Sequence, residues 1–434
     1  MSNVAEKAVM TYFQQIVADD VTRHAERRMD LLDPEFLEWL AELERRMDDG
    51  RGALDRAEPE RRDRALAAAH EVGKKLVVRV RKYCNGQAVS NAWLKAYEMY
   101  ERERLLVGID PSRETLFFNA ELPGSFVAAA NHWLHDASMR NLVRTSLMPM
   151  WHACSLHPRA DPQALGDIYG LWAGNARHWI MTPGDGAPRI TGDLRELAQC
   201  DHMTRRVGAG SVTLYVSDAG MAFDAESGER QEAAAARMHA GQVLCAIDML
   251  RSGGRALLKF YTFVRPWTFS LLAFLADECF DESCIVKPPS SRVTNSEVYF
   301  VGRGFRRTRA LRSPGYKALR WRLAQPPGDP FDDSMPLAGN ADAAALAGEF
   351  TIRNLLAAAD EIHARRQTEA IRSFLERGKL PRPRHRPAPS IDPHYLPESR
   401  WLPQKTGNCA KRDFRNFRGS PVTRPRKVAR SAAT

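Results

Sequence analysis

The chain has 434 residues, enough for one large domain or two ordinary ones, and its 44% hydrophobic and 27% charged residues are typical of a soluble globular protein. No run reaches the roughly 18 to 20 apolar residues of a bilayer-spanning helix, and the first residues lack the pattern of a signal peptide, so we expect an intracellular protein. Seven cysteines without a CxxC pair favour neither a disulfide framework nor a zinc site, and we expect no metal.

The formal net charge of +10 is concentrated at the C-terminal end. Residues 381–434 contain thirteen Lys or Arg and three Asp or Glu, so this tail alone accounts for the whole net charge. The tail is rich in Pro and Arg and lacks hydrophobic periodicity, which predicts disorder. A basic tail on a neutral body favours a polyanionic partner.

Two helices are predicted before residue 88. Apolar residues recur at helical spacing from residue 36 to 43, and Asp48-Asp49-Gly50 predicts the end of that helix. A second helix is predicted from Pro59 to about Tyr83. Their composition favours partly exposed helices with a structural role.

A third helix is predicted after Ser90, because a serine hydroxyl is a good N-cap. Trp93, Tyr97 and Tyr100 share one face at i, i+4 and i+7, and Lys95 lies off that stripe. A lysine on the solvated face of a helix usually contributes only to solubility, so the pattern alone gives Lys95 no chemical role.

The first unit of an α/β crevice is predicted from residue 115 onward. Residues 115–120 have the pattern of a buried parallel strand and continue through the turn ELPGSF (121–126) into a helix. A strand, a tight glycine turn and a helix N-terminus bring free backbone N–H groups to a ligand. Neither GxGxxG nor GxxxxGK[ST] is present, which disfavours a dinucleotide or a nucleoside triphosphate.

Residues 142–147 are predicted as a further strand, and the loop-like stretch 151–203 as ordered and functional.

The second half of the crevice is predicted from residue 211 onward, again from strands that end beside polar residues. Residues 211–216 predict a strand that ends beside Asp218, residues 231–251 predict a crossover helix, and residues 255–258 predict a strand that ends at Lys259. Alternatively, Lys259 has no chemical role and only extends from the sheet edge into solvent. Alternating strands and helices over 115–305 predict a doubly wound α/β domain.

After residue 305 we predict a basic segment, a linker over 325–339, and an amphipathic helical stretch over 341–377. The predicted organisation is therefore a helical extension (1–87), an α/β domain (88–307), a helical region (308–380) and the basic tail (381–434).

Four polar residues stand at comparable places in this domain: Lys95, Asp218, Lys259 and Glu297. The last two lie in GGRALLKFYTF (253–263) and KPPSSRVTNSEVYFV (287–301). Together with the ELPG turn, these segments resemble the FtsJ-type ribose 2′-O-methyltransferases, and the resemblance covers roughly residues 88–305. It is sharpest for the eukaryotic and viral enzymes that methylate the mRNA cap. NHWL (131–134), HWI (178–180), TGDL (191–194) and SDAG (217–220) resemble the branch that acts on the second transcribed nucleotide.

The resemblance implies a Rossmann-like fold that uses S-adenosylmethionine, with Lys259 as the general base. A lysine can accept a proton only when its amine is neutral, and we expect nearby Lys95 and partial burial to lower the pKa of Lys259. Asp218 would orient Lys259, and Glu297 would hold Lys95 and the ribose.

The resemblance also implies the binding residues. Those for the cofactor are Glu121, Pro123, Gly124, Ser125, Phe126, Asp193 and Asp218. Leu122 departs from the small residue that the family has in this turn, and a helix-capping role is an alternative for Asp193. Lys287 and Arg292 are expected to contact RNA phosphates, or alternatively to form a solvated basic loop.

The expected substrate is the capped 5′ end of mRNA, in the nucleus or cytoplasm, and the gene could be viral. Methylation of rRNA or tRNA is an alternative, and so is a noncatalytic RNA-binding scaffold that retains the fold.

Overall fold

The structure is a computed structural model that describes residues 15–17, 28–84, 86–181, 190–221, 231–292, 294–327, 329, 331–337 and 346–377. The predicted disordered tail (381–434) and the predicted start of the last helical stretch at residue 341 lie outside the described residues. Within those ranges, no helix combines the length and the apolar character needed to cross a membrane.

The strands of the described ranges form one large sheet and one small sheet. They are β1 (Gln15–Val17), β2 (Arg28–Asp30), β3 (Thr115–Asn119), β4 (Met150–Ala153), β5 (Val212–Ser217), β6 (Leu250–Phe260), β7 (Phe280–Val286), β8 (Val298–Phe305) and β9 (Leu346–Gly348). The large sheet has the order β1-β7-β8-β6-β5-β3-β4, and β2 pairs with β9.

The centre of the large sheet is parallel. Strand β3 pairs parallel with both β4 and β5, and β5 pairs parallel with β6, whereas β8 is antiparallel to β6 and β7. The chain order therefore reverses between β3 and β5, and this switch point opens a crevice beyond the carboxyl ends of the two strands. The prediction of a doubly wound α/β domain is confirmed.

The helices precede, connect and follow these strands. They are α1 (Pro34–Asp55), α2 (Pro59–Tyr83), α3 (Asn91–Arg102), α4 (Ser125–Met139), α5 (Leu171–Gly174), α6 (Leu197–Val207), α7 (Gln231–Met249), α8 (Pro266–Phe274), α9 (Arg307–Arg312), α10 (Pro314–Ala324), α11 (Glu349–Ala359) and α12 (Thr368–Arg377). A 3₁₀ turn (Ala176–His178) and two π-helical segments (Leu275–Cys279 and Asp360–Gln367) complete the list.

Helices of the α/β domain pack in pairs: α3 contacts α4, and α7 contacts α6 and α10. Because right-handed crossovers leave the switch point in opposite directions, such helices cover both faces of the sheet. The strands at the switch point are accordingly buried: this holds for every residue of β5 and for every residue of β3 after Thr115. Outside this domain, α12 packs on α1 and α2.

The predicted strand over 142–147 is wrong. Its first residue closes helix α4 instead, since the backbone N–H of Leu142 donates to the carbonyl of Ala137 at 2.8 Å, beyond an Asn141 with φ of 59°. Leu142 and Leu147 are exposed, and the edge strand begins three residues later, at Met150.

The predicted end of α1 at Asp48-Asp49-Gly50 is also wrong, because the helix continues to Asp55. Gly50 is buried, and a Cβ placed there would lie 2.0 Å from Oγ1 of Thr368. This glycine serves close packing between α1 and α12 rather than helix termination.

Two further boundaries differ from the prediction. Strand β6 begins at Leu250, before the Gly253-Gly254 pair, and Gly253 has φ of 75° beside a register shift against β5. The predicted linker over 325–339 is packed where it is described: Leu337 is buried, and the ring of Phe331 lies edge-on to Trp267 at 4.8 Å.

Candidate active site

Lys259 and Asp218 form an ion pair at the carboxyl edge of the sheet. Asp218 directly follows β5, and Lys259 is the penultimate residue of the parallel neighbour β6. Nζ of Lys259 lies 3.2 Å from Oδ1 of Asp218 and donates to the backbone oxygen of Asp218 at 2.8 Å. Because both residues belong to paired strand ends, the register of the sheet brings these groups together.

The space around this amine is limited. A Cβ placed on Gly220 would lie 2.7 Å from Nζ of Lys259 and 2.9 Å from the hydroxyl of Tyr261. On the other side, Nε2 of Gln242 donates to the backbone oxygen of Lys259 at 2.7 Å. Helix α7 therefore holds the backbone of Lys259, and the segment after β5 holds its ammonium group.

The pKa of Lys259 departs from the expectation. Burial alone lowers this pKa, because the ammonium loses hydration, but the charges of Asp218, Tyr261 and Glu297 raise it above its ordinary value. The expected decrease from Lys95 and burial is therefore wrong for the protein without ligands. Lys259 is protonated at neutral pH.

Lys95 and Glu297 form a second ion pair. Nζ of Lys95 donates to Oε2 of Glu297 at 2.9 Å, and each side chain is only 10% exposed. Lys95 belongs to α3, in which every residue from Trp93 to Tyr100 is buried, so the expected solvated face does not exist. Burial raises the pKa of Glu297, but Lys95, Lys287 and Lys259 together lower it below its usual range. Glu297 is an anion among cations.

Tyr299 connects the two pairs. It lies opposite Lys259 in the register of β6 and β8, and its hydroxyl donates to Oδ1 of Asp218 at 2.7 Å. Nζ of Lys95 lies 5.9 Å from the centre of the Tyr299 ring. The structure thus gathers Lys95, Asp218, Lys259 and Glu297 around one buried phenol. We did not predict Tyr299, although it follows Glu297 by two residues and therefore shares its face of the strand.

Glu121 dominates the turn after β3. Its Oε1 accepts the backbone N–H of Val127 at 2.9 Å, and its carboxyl group also takes the N–H of Phe126. These two N–H groups of the first turn of α4, which the sequence leaves free for a ligand, are therefore capped by the protein itself. Burial raises the pKa of Glu121 well above its usual range, and the charge of Asp218 adds to this.

This turn fits a cationic ligand. Glu121 is buried and has no ion-pair partner within the described part of the chain, and the negative Asp218 lies near enough to disfavour its ionisation. Burial raises the pKa of Tyr100 well above its ordinary value, and the nearby charges of Glu121 and Asp218 add to this. A ligand that carries a positive charge, such as S-adenosylmethionine, would stabilise this pair of carboxylates.

The other residues of the turn are held by the protein. Gly124, with φ of 106°, is the N-cap of α4, and a Cβ there would lie 2.3 Å from Cδ2 of Leu171. Pro123 precedes it after a cis peptide bond. Oγ of Ser125 lies 2.8 Å from Oγ of Ser90, and Phe126 is buried with its ring centre 6.4 Å from that of Tyr299. Ser125 and Phe126 therefore support the turn.

Asp193 lies in a tight turn beside the segment after β4. It accepts the backbone N–H of Arg195 at 2.9 Å and forms an ion pair with the same arginine at 2.7 Å. The neighbouring Gly192, with φ of 70°, leaves no space for a Cβ, which would lie 1.9 Å from the carbonyl oxygen of Ser155. Oγ of Ser155 in turn accepts the N–H of Leu122 at 3.3 Å. The segment after β4, which contains Ser155, therefore lies beside both the turn of Asp193 and the turn of Glu121.

Lys287 is half-buried, and its ammonium group is bound by the protein. Its Nζ donates to the backbone oxygens of Asn295 and Glu297, each at 2.8 Å, and to Oδ1 of Asn295. The three donors of the ammonium are thereby used, which argues against the expected phosphate contact. The pKa of Lys287 is lowered to about 7, chiefly by burial and then by the charges of Lys95 and Arg292, which act against the opposing charge of Glu297. Arg292 is exposed, in keeping with a solvent-facing role.

A comparison with protein-family models decides the family of the chain. Residues 88–305 match the model of the FtsJ-like methyltransferases. This is half of the chain, and it contains both ion pairs and the Glu121 turn. The chain belongs to the FtsJ-like methyltransferase family.

Relatives of this FtsJ-like protein come from viruses and animals. The probable methyltransferase EP424R of African swine fever virus is 34% identical over 228 residues, which are 50% of this chain and 50% of that protein. The cap-specific mRNA (nucleoside-2′-O-)-methyltransferase 2 of Drosophila melanogaster is 26% identical over 254 residues, 57% of this chain and 34% of that protein. Its counterpart from Pongo abelii is 27% identical over 232 residues, 52% and 29% respectively. The chain thus spans half or less of the length of these relatives.

Proposed function

We propose that this FtsJ-like protein transfers a methyl group from S-adenosylmethionine to a ribose 2′-hydroxyl at the capped 5′ end of mRNA. The observation that carries the proposal is the convergence of two lysine–carboxylate pairs around Tyr299, at the switch point of the sheet. The names of the animal relatives support the cap as substrate, and the family supports methyl transfer.

Lys259 is the proposed general base. A ribose hydroxyl is a weak acid, so a base must take its proton as the oxygen forms its new bond, and a lysine can do so only as a neutral amine. In the free protein Asp218 stabilises the charged form of Lys259, and the same contact stabilises the ammonium that forms during the reaction. The reaction therefore requires Lys259 to lose a proton first, so the rate should rise with pH.

S-adenosylmethionine would supply a methyl group bound to a positively charged sulfur. The carbon of this methyl group is the electrophile for the ribose oxygen. Among this chain's residues, Glu121 and Asp218 are the carboxylates that would hold and electrostatically balance that charge. Asp193 and the turn from Pro123 to Phe126 would complete the binding surface. The residues reduce the barrier chiefly by orientation, since alignment of oxygen and methyl carbon can contribute several kcal/mol.

Lys95 and Glu297 would hold the ribose. The carboxylate of Glu297 has an ion pair on one oxygen and a hydrogen bond from Oγ of Ser291 on the other, at 2.6 Å, so its orientation is fixed. Lys95 places a positive charge near the attacking oxygen. That charge would stabilise the negative charge which develops there.

The test is transfer of tritiated methyl from S-adenosylmethionine to a short capped RNA, followed by nuclease digestion and identification of the labelled nucleoside. We expect label on a ribose 2′-oxygen near the cap. A matched RNA with a prior 2′-O-methyl on the first nucleotide tells the first position from the second.

Two controls define failure. Equal transfer to the same RNA without a cap would favour methylation of rRNA or tRNA. Label on a base, or binding of RNA without any transfer, would contradict the proposed reaction.

A further inference from the structure

The segment that carries Glu297 is contacted by residues from far outside the family match. We call residues 287–297 the Glu297 loop; the structure describes it except for residue 293. It connects β7 to β8, and its described residues form no helix or strand. Glu297 directly precedes β8, so its position depends on what holds the loop.

Within the loop, Lys287 is the central tether. It donates to the backbone oxygens of both Asn295 and Glu297, which fixes the last turn before β8. Oγ of Ser291 contacts the carboxylate of Glu297, and the N–H of Ser290 donates to Glu98 of α3 at 3.0 Å. These contacts secure the side of the loop that faces the crevice.

Helix α1 contacts the outer side of the loop. Arg51 donates from its guanidinium to Oγ of Ser296, the residue that precedes Glu297. Burial lowers the pKa of the Arg51 guanidinium, and the charges of Asp48 and Glu232 oppose this decrease. Arg51 lies well upstream of the family match, which begins at residue 88.

The C-terminal helices contact the same side. Nε2 of Gln367 donates to the backbone oxygen of Thr294 at 2.9 Å. Gln367 is buried and is the last residue of the π-helical segment Asp360–Gln367. Segments of this kind are frequent at functional sites, because the wider turn redirects side chains.

The two contacting helices are held to one another. Arg46 of α1 forms an ion pair with Asp360 at 2.6 Å, and Gly50 allows the close approach to Thr368. Between them, the buried ring of His363 has a pKa far below its ordinary value, because of burial first and then the charges of Arg51 and Lys287. Residues from α1 and the Glu297 loop thus lie around the buried ring of His363 in the π segment.

We propose that Arg51 and Gln367 are positioning residues that hold the Glu297 loop, so that the carboxylate of Glu297 stays in register with Lys95. This inference rests on the proposed methyl transfer. Helix α1 and the π segment, which lie outside the family match, then affect the reaction by positioning Glu297. Neither Arg51 nor Gln367 touches the substrate.

The test uses the full-length protein with Arg51→Ala, Gln367→Ala and the double variant. Arg45→Ala is the matched control on α1, because Arg45 is 69% exposed and pairs with Glu42 of its own helix. Arg372→Ala is the control on α12, where Arg372 is exposed. The readouts are the single-turnover rate of methyl transfer to capped RNA, KM for RNA, and Kd for S-adenosylmethionine.

We expect each positioning variant to lower the single-turnover rate about ten-fold, and the double variant up to about 100-fold, because displacement by about 1 Å at a reacting centre has effects of this size. Kd for S-adenosylmethionine and KM should change less than about two-fold. The two control variants should match the wild type. Rates of both positioning variants equal to the wild-type rate would overturn the inference.

A double-mutant cycle separates positioning from general stability. In a Glu297→Gln background, Arg51→Ala should lower the residual rate less than about two-fold, because the group on which it acts has been altered. A merely structural role would reduce the rate by the same factor in both backgrounds, and this result would overturn the proposal.

Hydrogen exchange keeps the inference testable without any activity. Amides of residues 294–297 should exchange faster in Arg51→Ala and Gln367→Ala than in the wild type or in Arg45→Ala. Unchanged exchange would overturn the positioning role. A wild-type protein that methylates no RNA, with faster exchange in the variants, would instead contradict the proposed function alone.

Discussion

The two ion pairs of the candidate site are built in different ways. Lys259 and Asp218 stand on the ends of paired parallel strands, so the backbone hydrogen bonds of the sheet set their distance. Lys95 and Glu297 stand on a helix and at the end of an irregular loop, and their distance depends on side-chain contacts to that loop. The sheet thus fixes the proposed base, whereas the ribose-holding pair needs support from elsewhere in the chain.

The largest expected effect comes from the pair on the sheet. Lys259→Met removes the proposed base and should lower the rate of methyl transfer about 1,000-fold or more, within the range found for general bases. Kd for S-adenosylmethionine should stay within about three-fold, measured by calorimetry. Lys317→Met, at an exposed position of α10, is the matched control and should be as active as the wild type. Activity retained in Lys259→Met would show that another group takes the proton.

The next effect concerns the charge within that pair. Asp218 raises the pKa of Lys259, so Asp218→Asn should lower it and move the rise of rate with pH to a lower pH. The maximal rate should also decrease, because a neutral amide in place of the carboxylate holds the amine less firmly. The measurement is the single-turnover rate between pH 6 and 10 in both proteins. A rise at unchanged or higher pH would contradict the assignment of Lys259 as the titrating base.

The smallest effect tests the support of the second pair. Lys287 loses its proton near pH 7 in the folded protein but near its ordinary value of 10.5 when unfolded. Between these values the unfolded state binds more protons, so wild-type stability should rise with pH relative to that of Lys287→Met. The difference in Tm between the two proteins, measured from pH 7 to 9.5, reports this.

Lys287→Met also removes the tether of the Glu297 loop. The rate of methyl transfer should fall about ten-fold, less than in Lys259→Met, because only the position of Glu297 is affected. A Tm difference that does not change with pH would contradict the lowered pKa of Lys287. A full rate would contradict its role in holding the loop.

Much of the fold is accessible from the sequence because its signals are local. The strands β3 and β5 lie within one residue of their predicted bounds, and α2 has the predicted bounds, since apolar periodicity and end signals identify each element by itself. The strand predicted over 142–147 failed because its apolar residues are exposed around the closure of a helix. A short apolar run does not distinguish these cases.

In the candidate site, too, the sequence predicts the local features but not those that depend on tertiary contacts. Its residue types and their places at strand ends are visible in the sequence, and the resemblance of two segments to one family relates them to a reaction. The predicted direction of the Lys259 pKa shift is wrong, because that direction depends on which of several charges lies nearest. The hydrogen bonds of the Lys287 ammonium group depend on how the loop after β7 folds back on the chain.

The sequence by itself determined the α/β domain, the identity of the polar residues at its edge and the charge of the tail, because each follows from residues that are neighbours along the chain. Only the tertiary structure decided that Tyr299 joins the two ion pairs, and that Arg51 and Gln367 contact the Glu297 loop. Arg51 and Ser296 are 245 residues apart in sequence, and no local pattern encodes a hydrogen bond over that separation. It forms because α1 and the π segment Asp360–Gln367 pack against each other and place these side chains beside the Glu297 loop.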